Sequence, residues 1–383
     1  MIHAPTIRET DIVRPTRVEV DLDRLGENFA AISRHVGGTR VMPILKANAY
    51  GHGLLPVARD LVARGASCLG VAMLEEGLLL RHAGIACPIL VMGAILENQV
   101  PLFLQNDLTV TASSIGKLRQ IDQAARAAGL RARVHLKIDT GMERVGVHHY
   151  SAGPFLEESL RATSCEVEGI YSHLATADDA DLSGARLQLE RFSEVLRFYE
   201  RRSLPCPLRH IASSGAILQL PESHLDMVRP GILLYGVYPG PEVPRTIAVR
   251  PALSWRSRVA YFKVIQAGAP VSYGWTWRPD RMVRAVTVPV GYGDGYFRAM
   301  TGQAQVLIRG RRYPVVGRIC MDQIVVNIDQ DEAYNGDEVM LVGEQGAERI
   351  TCEDLAEWAG TIPYEILTSI NTRVPRVYNG GFS

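Results

Sequence analysis

Charge of one sign is the first thing this sequence lacks. Lysine plus arginine number 41 and aspartate plus glutamate 41, so no net field draws the chain toward nucleic acid or an anionic membrane. No basic run, RNA-binding signature or zinc-finger spacing disturbs that balance, which sets nucleic-acid partners aside. Long apolar runs are missing too: no stretch of about eighteen apolar residues occurs, which removes a membrane span. The opening MIHAPTIRETDIVRPTRVEV has no cationic segment followed by an apolar core, so it does not read as a secretory signal. Cysteine is sparse and scattered (Cys68, Cys87, Cys165, Cys206, Cys320, Cys352), with no CxxC pair. Such thiols read as reduced groups of a cytosolic protein, neither a disulfide frame nor a zinc site. His148 and His149 are neighbours, but nothing nearby completes a metal site, and no metal is expected. These exclusions leave a soluble, cytoplasmic globular protein.

What is present is enough apolar material for a large core: 47% of 383 residues, a length that accommodates two domains. From residue 40 to about 236, short apolar runs alternate with helical-period segments. The runs are RVMPILK, SCLGVAM, PILVMG, LTVTAS, ARVHLKID, CEVEGIYSHL, LRHIASS and DMVRPGILLYG. Amphipathic stretches such as LLPVARDLVARG, SIGKLRQIDQAARAAG and ARLQLERFSEVLRFYERR lie between them. Eight β segments with intervening helices point to an α/β fold of the (β/α)8 TIM-barrel type over residues 1–240. A doubly wound sheet is the alternative, but no GxGxxG opens a helix after the first strand, and GYGDG at 291–295 reads as a turn. After PGPEVP the texture changes to β-rich runs separated by Gly, Pro and Asp, so residues 241–383 form a mostly β C-terminal domain. Only TCEDLAEWAG looks helical there, with Thr351 as its N-cap.

In a barrel of this type chemistry collects at the C-terminal ends of the strands. Lys46 ends the first predicted strand. Lys137 and Asp139 end the fifth, with Arg144 in the following turn. His173 ends the sixth, Ser213 and Ser214 the seventh, and Arg229 falls within the eighth. A single strand-end cation is usually just solvated. Several converging on one rim suit an anionic ligand, since Arg grips carboxylate or phosphate as a fork and Lys as a point charge. A lysine at the mouth of an apolar pocket is also a nucleophile in waiting: desolvation lowers its pKa, and the free amine condenses with aldehydes. The aldehyde that best suits such a site is pyridoxal phosphate, whose phosphate needs backbone N–H donors and a hydroxyl. SSG at 213–215 and PGI at 230–232 offer both.

At these residues the chain resembles a known family. LKANAYGHG closely resembles the cofactor-lysine motif of the alanine racemases. HLKIDTGMERVGV, GIYSHLATADD, SSG, MVRPGILLYG, VSYGWTW, VGYGDGY, GRICMDQ and RVPRVY follow in the family's order along essentially the whole chain. The resemblance implies a pyridoxal 5'-phosphate enzyme that interconverts L- and D-alanine and supplies D-alanine for peptidoglycan. Lys46 would carry the cofactor and act as one base. Tyr273 in VSYG would serve the opposite face from the partner subunit of a homodimer with shared sites, and His173 and Arg229 would form a relay. Tyr50, Ser213, Ser214, Gly231 and Ile232 would lie around the phosphate. Arg144 and the backbone of Met321 would take the substrate carboxylate. Lys137 matches a lysine that is often carbamylated, and Tyr292 and Asp322 match residues of the entry corridor, with Asp178, Arg298 and Arg318.

Arg229 decides between neighbouring chemistries. It matches the arginine facing the pyridine nitrogen, and arginine does not give up its proton at neutral pH. The ring nitrogen then stays unprotonated, the electron sink is weak, and racemisation is favoured over transamination or decarboxylation; related barrel decarboxylases carry a carboxylate there. The sequence departs from the family at Thr372, where a tyrosine commonly precedes the RVPR motif, next to the cofactor phosphate. A roomier side-chain pocket follows, and with it activity on serine beside alanine. A broader-specificity or serine racemase is therefore the alternative reading. A non-catalytic cofactor-binding barrel resembles only part of the chain, since it lacks a β domain and its tyrosine.

Overall fold

The computed structural model describes residues 13–382, so most of the stretch read above for a secretory signal lies outside the described residues. Among the described residues no helix is long and apolar enough to cross a membrane. The chain divides into two compact units. One comprises Asp23–Arg250 with Gly381 and its successors, the other Pro251–Gly380 with the described residues up to Leu22.

Among the described residues, beside the two-residue Val147–His148 that pairs parallel with Ala132–Asp139, the first unit has a ring of eight parallel strands: Arg40–Val41, Leu69–Val71, Ile89–Val91, Thr109–Ala112, Ala132–Asp139, Cys165–Tyr171, Leu208–His210 and Met227–Val228. Each falls inside one of the eight apolar runs. The second to the seventh pair in chain order. The eighth pairs with the first, Met227 opposite Arg40. The remaining seams close through two bonds each: Leu45 N–H donates to the Gly70 carbonyl (2.8 Å) and Gly70 N–H to that of Pro43 (2.9 Å), while Arg229 N–H donates to the Ala212 carbonyl (3.0 Å) and Asp226 N–H to that of Arg209 (3.1 Å). A closed ring removes the doubly wound alternative, because an open sheet would leave both edges unpaired.

Helices return the chain between the strands and bury one stripe each. Ile115–Ala127 buries Leu118, Ile121, Asp122 and Ala125, three or four residues apart, and Ser114 caps it by accepting the Lys117 N–H at 3.1 Å. The fifth strand, ARVHLKID, is the longest of the ring, and its alternate residues His135, Lys137 and Asp139 share one side.

The second unit is built on a single large sheet. Its strands lie in the order Tyr261–Ile265, Val283–Val288, Ile324–Asp329, Arg311–Val316, Gln305–Ile308, Glu338–Gln345, Leu253–Arg258, Arg17–Asp21 and Arg376–Asn379, with Glu348–Ile350 paired to Glu338–Gln345. This corrects the domain boundary expected at 1–240. RVEVD near the N-terminus pairs antiparallel with Leu253–Arg258 and parallel with Arg376–Asn379, so it belongs to the β unit. Val18 and Val20 are fully buried while Arg17 and Glu19 face outward, the alternation of a strand with one covered face. The partner strands lie more than two hundred residues away, and local reading could not supply them. Thr351 caps Cys352–Ala359 as expected, exchanging bonds with Asp354 in a capping box. A second helix, Pro363–Ser369, follows it unforeseen and carries proline in its first turn, where no N–H is needed.

Candidate active site

The strand-end residues of the barrel gather at one rim, and the first of them differs from expectation. Strand pairing stops at Leu45, and Lys46 opens a turn in which Ala47, Asn48, Ala49 and Tyr50 all have φ between 52° and 56°. Left-handed conformation costs about 1–2 kcal/mol per residue away from glycine, so the turn needs outside support. Glu76 Oε1 accepts the Ala47 N–H and Oε2 those of Ala72 and Met73, while Asn48 Oδ1 accepts the N–H of Leu54. Lys46 is therefore a turn residue, and in the isolated chain it is exposed rather than buried. Its amine pKa is lowered all the same, first by desolvation and then by Arg144, with Arg229 adding to the effect.

Tyr50 closes the turn, buried against Tyr235 with ring centroids 4.9 Å apart. Burial holds its phenol well above the usual range. Next to it, Ser214 Oγ accepts N–H groups from Gly231 (3.0 Å) and Leu233 (3.3 Å). Two short helical segments, Ser214–Gln219 and Ile232–Tyr235, thus begin side by side after the seventh and eighth strands. First-turn N–H groups have no intrahelical acceptor, and this corner of a barrel is a favoured phosphate site. A Cβ at Gly231 would come within 2.4 Å of Tyr50 Oη, so only glycine permits the close approach. Ser213 stands half-buried at the N-cap with extended backbone, and its hydroxyl makes no capping bond. Hydroxyls, glycine and paired helix starts fit the phosphate of pyridoxal phosphate, and Lys46 fits its aldehyde.

Arg229 lies at the floor of this rim, 5% exposed. Its guanidinium donates to the carbonyls of Ser172 (2.8 Å) and Ile211 (3.0 Å), and Nη1 lies 2.9 Å from His210 Nδ1. His173 Nδ1 is 3.4 Å from Nη2, and the Tyr171 ring lies 5.5 Å below the charge. Burial lowers the guanidinium to about 10, which leaves it charged at neutral pH. The neighbouring histidines and Lys137 respond. His173 and His210 are held well below their ordinary value by burial and then by Arg229. Lys137, 6% exposed, falls to about 7 by burial, Arg229 and Arg144, with Asp139 opposing; its Nζ donates to the Ile138 carbonyl at 2.8 Å.

Asp139 proves to be a structural group. Its Oδ1 accepts the N–H groups of Gly141, Met142 and Glu143, and Oδ2 that of Arg144. Burial would raise this carboxyl, but those donors keep it below the usual range. Asp139 thereby shapes the loop that displays Arg144, whose side chain is exposed.

The remaining expected residues lie in the β unit. Tyr273 opens a short helical turn after Ser272 (φ 61°), whose hydroxyl donates to the Arg318 carbonyl at 2.6 Å. Tyr273 is 70% exposed and shares a hollow of about 700 Å³ with Trp275, Cys320, Met321 and Asp322. The Met321 carbonyl accepts the Gly293 N–H (2.9 Å), and the residue itself is exposed at the hollow. Asp322 accepts from Arg373 at 2.5 Å, and Arg373 also reaches the buried Asp294, which Arg14 grips from another side. Tyr292 and Thr372 are exposed; the Thr372 hydroxyl donates to Asn371 at 3.4 Å. Sequence reading missed His210, His135, Tyr171 and Asp294. For His135 a signal existed, since it alternates with Lys137 on the inward side of one strand.

Comparison with known proteins agrees with this geometry. Residues 20–239 match the family model described as alanine racemase, N-terminal domain, and residues 252–378 the one described as alanine racemase, C-terminal domain. The chain is 44% identical over 368 residues to the alanine racemase of Carboxydothermus hydrogenoformans, covering 96% of this chain and all of that one. Among solved structures it is similar to the alanine racemase of Streptomyces coelicolor (39% identity, TM-score 0.92, 97% and 99% of the two chains). It is also similar to that of Bartonella henselae with covalently bound pyridoxal phosphate (27% identity, TM-score 0.87, 95% and 99%).

Asp139 gives a direct test of the loop. Asp139→Ala leaves four amides without their acceptor and should destabilise the protein by roughly 1–3 kcal/mol. Denaturant unfolding and amide exchange at residues 141–144 measure it; unchanged exchange there would remove Asp139 from this role.

Proposed function

The chain belongs to the alanine racemase family, and on that premise we propose that Lys46 and Tyr273 are the two bases that interconvert L- and D-alanine. The enzyme is an isomerase acting on an amino acid, and its D-alanine supplies peptidoglycan synthesis, a cytoplasmic role. The observation that carries the residue-level reading is the convergence at one barrel rim of a lysine of lowered pKa, a hydroxyl-and-amide cradle and a buried, carboxylate-free arginine.

Pyridoxal 5'-phosphate, when bound, supplies the electron sink that acidifies the Cα–H of the amino acid. Lys46 would hold it covalently, and Tyr50, Ser213, Ser214, Gly231 and Ile232 would hold its phosphate, with Thr372 alongside. Arg144 and the Met321 amide bind and orient the substrate carboxylate. A flexible, desolvated amine at Lys46 takes or returns the Cα proton on one face. Tyr273 Oη does so on the other, which is what inversion requires. His173, neutral and hydrogen-bonded to Arg229, would link that arginine to the tyrosine as a relay. Arg229 presents only N–H donors and leaves a ring nitrogen unprotonated.

Lys137 supports a further part of the reading. A lysine with a pKa near about 7 is largely neutral at physiological pH, and a neutral amine adds carbon dioxide. The resulting carbamate would be an anion beside Arg144. Tyr292 and Asp322 would border the entry path.

Tyr273, Trp275 and Met321 are 70%, 64% and 51% exposed around one hollow, an apolar patch that calls for a cover. We read this as the face that a second subunit completes, giving a homodimer in which each site uses the partner subunit's Tyr273.

Two experiments test the reading. Lys46→Ala alone should lose at least about a hundredfold in rate, the scale of a positioned base. Mixed with equally inactive Tyr273→Ala under subunit exchange, it should regain activity from about a quarter of the sites, since each mixed dimer has one intact site. Exchange without recovery would place the tyrosine within its own chain or outside the chemistry. For substrate breadth, Thr372→Tyr should lower the ratio of kcat/KM for L-serine to that for L-alanine by about tenfold, within the range one side-chain contact is worth. An unchanged ratio would show that this position does not set the pocket.

A further inference from the structure

Beneath Arg229 the barrel interior holds a polar column that the chemistry above does not use. His210 is fully buried and His135 nearly so. Arginine only donates, so His210 Nδ1, 2.9 Å from Arg229 Nη1, must carry a lone pair. The proton of neutral His210 then sits on Nε2. That nitrogen lies 2.9 Å from His135 Nδ1, which must accept in turn. The proton of His135 is thereby placed on Nε2, a nitrogen that lies 4.0 Å from Glu168 Oε2, within reach of the carboxylate's field but beyond a hydrogen bond. Each link has one solution, and the direction is set at the arginine end.

The surroundings hold the column in place. Burial, then Arg229, lowers His135 to about 3, so both imidazoles are neutral and each has one N–H. Tyr171 stacks on His210 at 4.8 Å and 7°, and its hydroxyl is anchored by Thr111. Glu168 accepts from Thr109 at 3.2 Å and lies 3.9 Å from Arg133. A Cβ at Gly169 would fall 2.5 Å from the His135 ring, so the residue after Glu168 must be glycine for the column to fit.

A buried cation calls for a compensating charge, and among the described residues the acceptors on the Arg229 guanidinium are all neutral. Polarised hydrogen-bond chains transmit part of a remote charge. We propose that His135 and His210 form a one-way hydrogen-bonded column, with the Glu168 carboxylate facing its far end across 4.0 Å, that orients Arg229 and biases it with carboxylate charge, making Glu168 and His135 positioning residues for the racemase. The proposal rests on the reading of Arg229 as a group facing the cofactor, but its test reads the column itself.

Histidine-selective 15N NMR of the full chain, with and without pyridoxal phosphate, should show both His135 and His210 protonated at Nε2 and bare at Nδ1. In Glu168→Gln both Nε2 signals should shift, His135 more than His210. Glu166→Gln removes the same charge from an exposed neighbour on the same strand and should leave both in place. Racemisation by Glu168→Gln should lose about two- to fivefold in kcat, the worth of one charged contact outside hydrogen-bond distance, with KM within about twofold. An Nδ1–H tautomer at either histidine, equal shifts in the two glutamine variants, or wild-type kcat in Glu168→Gln would overturn the column. An intact column in an Arg229→Gln variant that racemises normally would instead overturn the role given to Arg229.

Discussion

A buried guanidinium with, among the described residues, no carboxylate bonded to it governs this barrel. Arg229 stays charged at neutral pH, and its field reaches the lysines and histidines around it. Burial is the larger cause of each shift, yet Arg229 is named in those of Lys46, Lys137, His135, His173 and His210, always toward the neutral form. One fixed cation therefore does two things. It denies a proton to whatever nitrogen it faces, and it keeps neighbouring amines and imidazoles available as bases. A carboxylate at the same position would reverse both effects.

The other constraint is backbone geometry. Four consecutive non-glycine residues after Lys46 are left-handed, an arrangement that persists only where surrounding groups over-determine it. Glu76 and Asn48 supply those bonds, and Tyr50 packs onto Tyr235, whose hydroxyl donates to the Ile44 carbonyl at 2.9 Å. The turn thus fixes where the lysine stem begins. Asp139 does the same for Arg144 through four backbone amides. In both places a carboxylate or amide side chain shapes a loop, and the cation it carries is exposed.

Much of this was legible beforehand, for physical reasons. Eight apolar runs spaced by amphipathic helices identify barrel strands because each must be buried on both faces. Strand-end polar residues then share a rim by topology alone, which is how Lys46, Lys137, Arg144, Ser214 and Arg229 could be grouped from separate motifs. What stayed hidden depended on distant partners. Arg17–Asp21 reads as an isolated alternation until Leu253–Arg258 is set beside it. Asp294, inside an apparent turn, shows its function only with Arg14 and Arg373 in place. Asp139 could be placed only as a strand-end charge, because sequence cannot show that four amides claim it. The exposure of Lys46 was missed because a left-handed run of four is not expected from Ala-Asn-Ala-Tyr.

The central claim is that a permanent cation at position 229 selects racemisation. It is tested most directly by replacing Arg229 with Glu and measuring, in the folded holoenzyme, how often alanine is racemised for each time it is transaminated to pyruvate. The account predicts slower racemisation and a clear rise in the share of pyruvate, because a carboxylate would protonate the ring nitrogen that arginine leaves bare. An unchanged partition between D-alanine and pyruvate would contradict it.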